Sequence, residues 1–327
     1  MNVKNTPKNI ITRRSFLKTA ACLGLATAFA KKSIAQNLKP MSPPSPTSSS
    51  EGLTFNQSGY DIWIRFNNEI ITAYRAHPSQ KYPYMYPLAG PASGISLTTE
   101  SALPWHHHRS VFFGCDRVNG DDYWSQELNK GRIISNTPKV INLTEKQITI
   151  FDECKWTSPE NQVVMEDSRK ITVAINSDKL YFIDWEIAWK AVVDVTIQKT
   201  NHSLFAIRAA PDITPSAGGN LINAEGDKGE KGTFGKKSEW CAFFGKRKKS
   251  EFIEGIALFD HPKNPWHICP WFTRDYGFMS PTTFNFIEKQ MNFESGKSLM
   301  LKYRIVAFAG TPEEIKLANL WKSFSET

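Results

Sequence analysis

The sequence predicts a mainly β fold, one large antiparallel β-sandwich with a single helix at its C-terminus. From residue 53 onward, most of the chain alternates apolar and polar residues with a period of two, or forms apolar runs of strand length. Long aromatic-rich runs such as 180–189 are typical of strands in a large antiparallel sheet. Helix signals are scarce before residue 310, so we expect packed sheets to form the core.

The first predicted element is a β-hairpin. Residues 61–66 and 69–75 alternate, and Asn67-Asn68 between them supplies a two-residue turn. A further turn is predicted at 176–178, because Asn, Ser and Asp favour turns. The other predicted strands are 110–115, 131–135, 139–144, 146–157, 161–174, 179–190, 193–199, 204–210, 238–244, 251–259, 275–279 and 299–308.

Three residues predict the start of the C-terminal helix. Thr311 is a suitable N-cap, Pro312 fits the first helical position, and Glu314 follows Thr311 at the spacing of a capping box. Four apolar residues then fall on one helical face, which we expect to pack on a sheet. They are Leu317, Leu320, Trp321 and Phe324.

The N-terminus has the pattern of a twin-arginine export signal. Arg13 and Arg14 precede a short apolar stretch, 19–30, and small residues at 33 and 35 fit a cut before Gln36. The apolar stretch is shorter than the ~20 residues that span a bilayer. Residues 1–35 are therefore a predicted signal for the twin-arginine translocase, and we expect the mature protein in the periplasm or outside the cell.

The mature chain is predicted to be a linker followed by one domain. Residues 36–52 are rich in Pro and Ser, and 53–327 contains no comparable linker and no apolar segment that could span a membrane. The formal net charge is +8, but seven of the 40 basic and none of the 32 acidic residues lie in 1–35. The nearly neutral remainder argues against a nucleic-acid partner. A basic run at 245–250 is expected to be a solvated hairpin tip.

Four cysteines remain after the signal, and we expect them to be buried free thiols. None of them forms a CxxC pair, so no structural zinc site is predicted. A protein exported by the twin-arginine route folds in the reducing cytoplasm first, so its fold should not depend on disulfides. These cysteines are Cys115, Cys154, Cys241 and Cys269.

The densest run of polar and aromatic residues lies between 82 and 124. Three histidines and an arginine occupy 106–109, a run that is costly to bury without partners. In a strand, His107 would face one side and its two neighbours the other. These imidazoles can bind a metal, donate hydrogen bonds to a sugar or carboxylate, or transfer protons; a solvated loop is the alternative. Asp122, in an Asn-Gly-Asp-Asp turn, either faces the histidines or only shapes the turn.

Other predicted site residues are spread along the chain. Glu166 lies in a strand-like run and faces either solvent or a concave site. Arg208 ends an apolar strand and is expected to have an acidic partner. Segment 260–272 places Trp, His and Asp together, which is typical of carbohydrate sites. The predicted catalytic residues are His107, His108, Asp122 and Glu166, and the predicted substrate-binding residues are Tyr84, Arg109, Trp124, Arg208, Asp260, His261, Trp266 and Trp271.

The chain becomes recognisable from five strings, which follow in the order KYPYMYPLAGPASG, WHHHRSVFFGCDRVNGDDYW, AIRAAPD, GIALFDHPKNPWH and PWF. It resembles, along nearly the whole mature chain, a bacterial family of unknown function often labelled "methane oxygenase PmoA-like". His107 and His108 match a histidine pair of that family, whereas His106 stands where some relatives have proline. The resemblance implies a galactose-mutarotase-like supersandwich fold. It also implies a role beside exported sugar-oxidising or sugar-cleaving enzymes, which members of the family often accompany.

Three functions stay open from the sequence. The first is an enzyme acting on glycosides or oxidised sugars, an epimerase, lyase or hydrolase, with His107 and His108 as acid, base or metal ligands. The second is a non-catalytic carbohydrate-binding or assembly protein. The third, implied by the family label, is a copper oxygenase, although no second histidine cluster is apparent to complete its site. A divalent metal is therefore left open as a cofactor, and the sequence lacks the common nucleotide, serine-hydrolase and zinc-protease motifs.

Overall fold

The computed structural model describes residues 51–248 and 250–327. The predicted signal, 1–35, and nearly all of the predicted linker, 36–52, lie outside the described residues, so both stay predictions. The described part of the chain is mainly antiparallel β with a helix at its C-terminus, which confirms the predicted fold class. None of the helices in this part has the length and hydropathy that crossing a membrane requires.

The described residues form nineteen strands and two α-helices. In chain order the strands are β1 (Leu53–Ser58), β2 (Asp61–Phe66), β3 (Glu69–Arg75), β4 (Tyr84–Leu88), β5 (Val111–Cys115), β6 (Arg132–Ser135), β7 (Lys139–Leu143), β8 (Gln147–Thr157), β9 (Val163–Ser177), β10 (Leu180–Ala191), β11 (Val195–Ile197), β12 (Ser203–Arg208), β13 (Asn220–Asn223), β14 (Trp240–Lys246), β15 (Ile253–Asp260), β16 (Trp271–Arg274), β17 (Phe278–Pro281), β18 (Met291–Phe293) and β19 (Ser298–Ala309). The helices are α1 (Gly229–Thr233) and α2 (Leu317–Ser325), and short 3-10 helices span Pro211–Ile213 and Pro215–Ala217.

Two large sheets contain most of these strands. The eight-stranded sheet has the order β1-β2-β3-β4-β5-β12-β17-β16. The nine-stranded sheet has the order β13-β14-β15-β19-β10-β9-β8-β6, with β7 also paired to β8. β11 and β18 form a small separate sheet. The neighbours β5 and β12 are far apart in sequence, and their pairing decides which segments meet at the site described below.

The predicted first hairpin is confirmed. β2 and β3 pair antiparallel, with Phe66 opposite Glu69 across a two-residue connection. Asn67 and Asn68 both have positive φ, 48° and 68°, as the turns that suit a twisted hairpin require. Asparagine tolerates this conformation better than most residues, so the Asn-Asn pair explains why the chain reverses here.

Five of the strands are not predicted by the sequence: β1, β4, β13, β16 and β18. β4 is difficult to predict because Pro87 lies within it, and proline cannot donate a ladder hydrogen bond. β13, β16 and β18 have only four, four and three residues. Alternation cannot be recognised over so few residues.

Aromatic side chains fill the space between the two large sheets. Phe113 of β5 lies 5.9 Å and 5.7 Å, between ring centroids, from Trp156 and Trp189 of the nine-stranded sheet. Phe205 of β12 lies 5.2 Å from Trp185. All five side chains are fully buried, and burial of each large apolar side chain stabilises the fold by roughly 1.5–3 kcal/mol. The opposite side of β5 and β12 is therefore the outer face of the eight-stranded sheet.

The C-terminal helix packs on the outer side of the nine-stranded sheet. The predicted capping box forms, since Thr311 N–H donates to Glu314 Oε2 at 2.8 Å and Glu314 N–H donates to Thr311 Oγ1 at 3.3 Å. The helix itself begins later than predicted, at Leu317, because Lys316 has a left-handed conformation with φ 56°. Leu317 and Phe324 are buried in a cluster with Phe259.

The cysteine prediction is confirmed, and the prediction of a solvated hairpin tip at 245–250 is wrong at one residue. The four cysteines are free and buried. The run 245–250 connects β14 and β15 as a hairpin, but its Arg247 is not solvated. Arg247 is 2% exposed and pairs with Asp212 at 3.0 Å and with Glu254 at 3.2 Å. Two carboxylates compensate the charge, which makes burial of this arginine tolerable.

Candidate functional site

The outer face of the eight-stranded sheet carries its own aromatic layer. Because side chains alternate along a strand, Phe112 points away from the core that Phe113 faces. The Phe112 ring lies 5.0 Å from Tyr82 and 4.6 Å from Trp124. Tyr84 of β4 pairs directly with Phe112 across the sheet, so it points the same way. The predicted histidines lie on this layer.

The histidine run forms a turn before β5 and not a strand. Its side chains therefore do not alternate between two faces of a sheet. His106 is exposed, His107 is half-buried, and His108 is 3% exposed. The backbone N–H of His108 donates to the carbonyl of Trp105 at 3.0 Å, and the Tyr82 hydroxyl donates to the carbonyl of His107. As a result the rings of His107 and His108 stand perpendicular, 4.5 Å apart, over the sheet.

A further histidine, His202, joins them from the start of β12. β5 and β12 pair with Cys115 opposite Ser203, so the residues that follow β5 meet those that precede β12. Asp116 Oδ2 lies 3.2 Å from His202 Nδ1, and the His202 ring lies 5.3 Å from His107. When Nδ1–H donates to this carboxylate, Nε2 keeps the lone pair that can accept a proton. The His202 side chain is 35% exposed and therefore accessible.

Arg208, at the end of β12, also lies on the outer face. Its guanidinium carbon is 4.3 Å from the centre of the Tyr276 ring, a cation–π contact. Arg208 is 4% exposed, and its Nε and Nη1 are buried without a hydrogen-bond partner. No ion pair within 51–248 and 250–327 includes it. The acidic partner expected from the sequence is therefore not found there.

Two tryptophans complete the group. Trp124 stacks on His202 at 5.7 Å and 17°, and its Nε1 is buried without a partner. Trp105 is 43% exposed and lies 6.1 Å from His107 and 6.4 Å from His108. Trp105 thus covers the histidines from the solvent side. We call the following five residues the outer-face cluster: His107, His108, Trp124, His202 and Arg208.

Burial keeps two of these imidazoles neutral. Burial, together with the charges of His202 and His106, lowers the pKa of His107 to about 4. Burial, together with His107 and Arg208, lowers the pKa of His108 to about 2. Each neutral ring offers one N–H donor and one lone pair, so both can bond hydroxyl groups at neutral pH.

Unpartnered buried polar atoms are concentrated here. Among the described residues, fourteen buried side-chain nitrogen or oxygen atoms have no hydrogen-bond partner, and six belong to the outer-face cluster and Asp116. Folded proteins leave few such atoms, so their concentration at one place indicates where a ligand or solvent supplies partners. The six atoms are His107 Nε2, His108 Nδ1, Asp116 Oδ1, Trp124 Nε1, Arg208 Nε and Arg208 Nη1.

Tyr84 and Arg109 lie on the same face, next to the cluster. The guanidinium groups of Arg75 and Arg109 lie 5.6 Å and 5.5 Å from the centre of the Tyr84 ring. Glu100 pairs with both arginines, at 3.3 Å and 3.0 Å, and accepts a hydrogen bond from the Tyr84 hydroxyl. The structure thus brings both predicted residues close to the predicted histidines, but their polar groups are largely satisfied within the protein.

Asp122 shapes a turn. Its Oδ1 accepts hydrogen bonds from the backbone N–H groups of Trp124 at 2.7 Å and Ser125 at 2.9 Å. Burial raises the pKa of Asp122, but the hydrogen bonds from Ser125 and Trp124 outweigh burial, and the net shift is downward. Asp122 is therefore an ionised residue that fixes the position of Trp124, which agrees with the turn alternative weighed for it.

Glu166 does not join the cluster. It lies on β9 in the other sheet, where its neighbours Met165 and Asp167 are buried and it faces outward. There it lines a cavity of about 290 Å³ together with Lys155 and Lys190. The expectation that Glu166 shares a cleft with the histidines is wrong, because alternation turns it to the outer side of the nine-stranded sheet.

The polar-aromatic segment around 260–272 serves another part of the fold. Asp260 accepts hydrogen bonds from Asn264 at 2.7 Å and from His267 at 3.0 Å. The His261 ring packs on Phe324 of α2 at 4.8 Å, and burial lowers its pKa. The backbone carbonyl of Asp260 accepts the indole N–H of Trp321 in α2 at 3.3 Å. Asp260 and His261 thus fasten the C-terminal helix to β15, rather than lying with the histidine run.

The tryptophans predicted to stack on a sugar are not exposed platforms. Trp271 is fully buried and donates from Nε1 to the carbonyl of Ser238 at 2.8 Å. Trp266 packs on Phe284 at 5.1 Å. Trp124 is fully buried as well, so its ring face is covered by protein. The indole that solvent can reach beside the histidines is that of Trp105.

The outer-face cluster does not have the arrangement of a metal centre. In the part of the chain that the structure describes, no group of three or more His, Cys, Asp or Glu side chains could hold a metal ion. The described residues therefore give no support to the divalent metal left open by the sequence.

Comparison with known proteins assigns the chain to a family. A model described as a family of unknown function, DUF6807, matches residues 61–322. The chain belongs to this family. The DUF6807 match covers the whole outer-face cluster and both large sheets apart from β1, whereas the PmoA-like resemblance stays an interpretation of the motifs. No curated protein matches the DUF6807 chain significantly in sequence.

Three solved structures resemble this DUF6807 protein distantly. A candidate kojibiose phosphorylase from the human microbiome is 9% identical over 82% of this chain and 32% of its own, with a TM-score of 0.34. A galactose mutarotase related enzyme from Lactobacillus acidophilus is 10% identical over 79% and 97%, with a TM-score of 0.31. A GH36 α-galactosidase from Geobacillus stearothermophilus is 7% identical over 79% and 40%, with a TM-score of 0.33. The chain spans about a third of the first of these proteins.

Four residues of the site were not predicted from the sequence: Trp105, Asp116, His202 and Tyr276. Trp105 directly precedes the histidine run, and this position was the one feature of the sequence that could have indicated its part in the site. The other three lie in turns without any distinctive pattern. They join the site only because β5, β12 and β17 are neighbours in the sheet.

Proposed function

We propose that the protein is an exported carbohydrate-active enzyme that moves a proton on a sugar bound at the outer-face cluster. The observation that carries the proposal is the accessible His202–Asp116 pair, which stands beside two neutral imidazoles and an unpaired arginine. An imidazole oriented by a carboxylate is a common general base near neutral pH.

The aromatic residues support a sugar as the ligand. Trp105 presents an exposed indole, and Tyr276 lies 6.4 Å from it. A sugar ring stacks its apolar C–H face on such a surface, while its hydroxyls need donors and acceptors at the edge. His107 Nε2 and His108 Nδ1 supply unpartnered polar atoms at this edge.

The chemistry available favours epimerase or lyase reactions over glycoside hydrolysis. Hydrolysis commonly uses two facing carboxylic acids, but Asp122 holds a turn and Glu166 lies on the other sheet. Removal of a proton next to a carbonyl needs one base and a group that stabilises the resulting oxyanion. His202 fits the first role, and Arg208 or a neutral histidine fits the second.

Loss or exchange of carbon-bound hydrogen in D2O tests the step that epimerases and lyases share, since an epimerase replaces the hydrogen that the base removes and a lyase eliminates it. The protein is incubated in D2O with reducing sugars, aldonic and uronic acids and keto-glycosides, and exchange of carbon-bound hydrogen is followed by NMR. We expect exchange with at least one sugar, and a loss of at least about 100-fold in His202→Gln and Asp116→Asn, within the usual contribution of a general base.

His106→Gln is the matched control, since this exposed histidine lies outside the cluster. It should exchange at the wild-type rate. Binding of a sugar without exchange in any variant would contradict the enzyme and favour the carbohydrate-binding protein. Undiminished exchange in folded His202→Gln would contradict the role of His202.

A further inference from the structure

The side chain of Arg208 is held in place but not paired. The backbone of Arg208 is fixed on both sides, since its N–H donates to Ser110 at 2.7 Å and its carbonyl accepts from Thr99 at 3.0 Å. The Tyr276 ring covers one face of the guanidinium at 4.3 Å. Nε and Nη1 are nevertheless buried without a partner. The group is thus oriented before any ligand arrives, which reduces the entropy lost on binding.

Two other buried arginines of the same fold are paired with carboxylates. Arg169, which is fully buried, pairs with Asp167 at 2.6 Å. Arg247, 2% exposed, pairs with two carboxylates at 3.0 Å and 3.2 Å. Arg208, at 4% exposure, has no carboxylate among the described ion pairs. A buried charge without a counter-charge is costly, so its persistence needs a reason outside the folded core.

The neighbourhood of Arg208 provides one positive charge. The ring of His108 lies next to it and is neutral at physiological pH, because burial, His107 and Arg208 all lower its pKa. The carboxylate beside the cluster, Asp116, is bonded to His202. One unpaired positive charge matches a ligand group with one negative charge. A phosphate monoester would bring between one and two negative charges.

We infer that the sugar bound at the outer-face cluster is acidic, and that its carboxylate pairs with the guanidinium of Arg208. This inference rests on the proposed function and names the substrate class of the same site. The planar guanidinium matches the geometry of a carboxylate, with up to two parallel N–H···O bonds. The sugar ring then lies towards Trp105 and Tyr276, and its hydroxyls reach His107 and His108.

Binding of matched sugars tests the inference. Glucose, glucuronate, gluconate and glucose 6-phosphate are titrated by calorimetry into the full mature chain in a phosphate-free buffer. We expect at least one of the two sugar acids to bind at least about 10-fold more tightly than glucose. Arg208→Met should remove this preference and keep the weak binding of glucose, whereas Arg304→Met, in the other sheet and paired with Asp184, should keep the preference.

The possible results separate the inference from the proposed function. Equal affinity for glucose and both acids, or a preference that survives in Arg208→Met, overturns the inference alone. Tighter binding of glucose 6-phosphate than of both acids also overturns it and assigns Arg208 to a phosphate. No binding of any sugar contradicts the proposed function and the inference with it. Unfolding is not expected in Arg208→Met, because the substitution removes an unpaired buried charge. The melting temperature of Arg208→Met should therefore equal or exceed that of wild type.

Discussion

At the scale of single residues, the outer-face cluster places two neutral imidazoles beside one charged guanidinium. The His108 ring packs on Phe278 at 4.4 Å, and nearby Arg208 disfavours a second positive charge. Burial and His202 keep His107 neutral. The cluster therefore combines hydrogen-bonding groups with a single positive charge, which is the combination that an acidic sugar needs.

The cluster should make the protein sensitive to mild acid. The folded-state pKa values of His107 and His108, about 4 and about 2, lie below the ordinary histidine value of 6.5. Between about pH 6.5 and pH 4 the unfolded chain therefore binds protons that the folded chain does not. The stability that the neutral His107 and His108 contribute is fully present above about pH 6.5 and falls as the pH drops. We expect His108→Gln to show a smaller fall in melting temperature than wild type between about pH 7 and pH 5.

His77→Gln is the matched control for this measurement. His77 is exposed and lies outside the outer-face cluster, so its replacement should leave the acid sensitivity of the melting temperature in place. If wild type and His108→Gln lose the same number of degrees between the two pH values, the burial of a neutral His108 is not the cause of the acid sensitivity.

Strand pairing assembles the cluster at the scale of elements. The sequence pointed to His107 and His108 because a run of three histidines is conspicuous, but Asn201-His202-Ser203 is an ordinary turn composition. Only the register of β5 on β12 places His202 next to Asp116. Local periodicity predicts that a strand exists and says nothing about its distant partner, which is why the His202–Asp116 pair could not be found from sequence.

A second element, the β14–β15 hairpin, depends on a buried ion pair. Glu254 is fully buried, pairs with Arg247 at 3.2 Å and accepts the backbone N–H groups of Ala92 and Ser93 at 2.8 Å and 2.9 Å. Arg247→Met leaves this carboxylate without its counter-charge, which costs about 3–5 kcal/mol. We expect the free energy of unfolding, measured with urea, to fall by about that amount.

Arg208→Met is the natural comparison, since both substitutions remove a buried arginine. Arg208 has no carboxylate partner that its removal would leave unpaired. Its replacement should therefore lower the free energy of unfolding little or not at all in the same urea experiment. An unchanged free energy of unfolding for Arg247→Met, or equal losses for the two variants, would contradict the distinction drawn between a structural and a ligand-binding arginine.

The whole chain combines a fold that the sequence predicts well with a site that it predicts in part. The period-two pattern predicted the antiparallel sheets, because each strand has one face in a core. The same pattern could not show that Trp124 and Trp271 are buried, since an indole suits both a core and an exposed platform. Nor could it show that Asp260 and His261 fasten a helix.

Export concerns the whole precursor, and it stays a prediction from residues outside the described part. Replacing Arg13 and Arg14 together with lysine should leave the precursor in the cytoplasm, because the paired arginines are what the translocase recognises. Cell fractionation with antibody detection measures this. Normal export of the unaltered precursor by cells that lack the twin-arginine translocase would contradict the prediction.

Histidine side-chain NMR tests most directly the central claim that a sugar binds at the outer-face cluster. The chain has seven histidines, and 15N-labelled rings report both tautomer and contact while glucuronate is titrated. We predict that the ring signals of His107, His108 and His202 move together and saturate, while those of His77, His261 and His267 stay in place. Movement confined to His261 and His267, or saturable binding that moves none of the three cluster histidines, would contradict the claim.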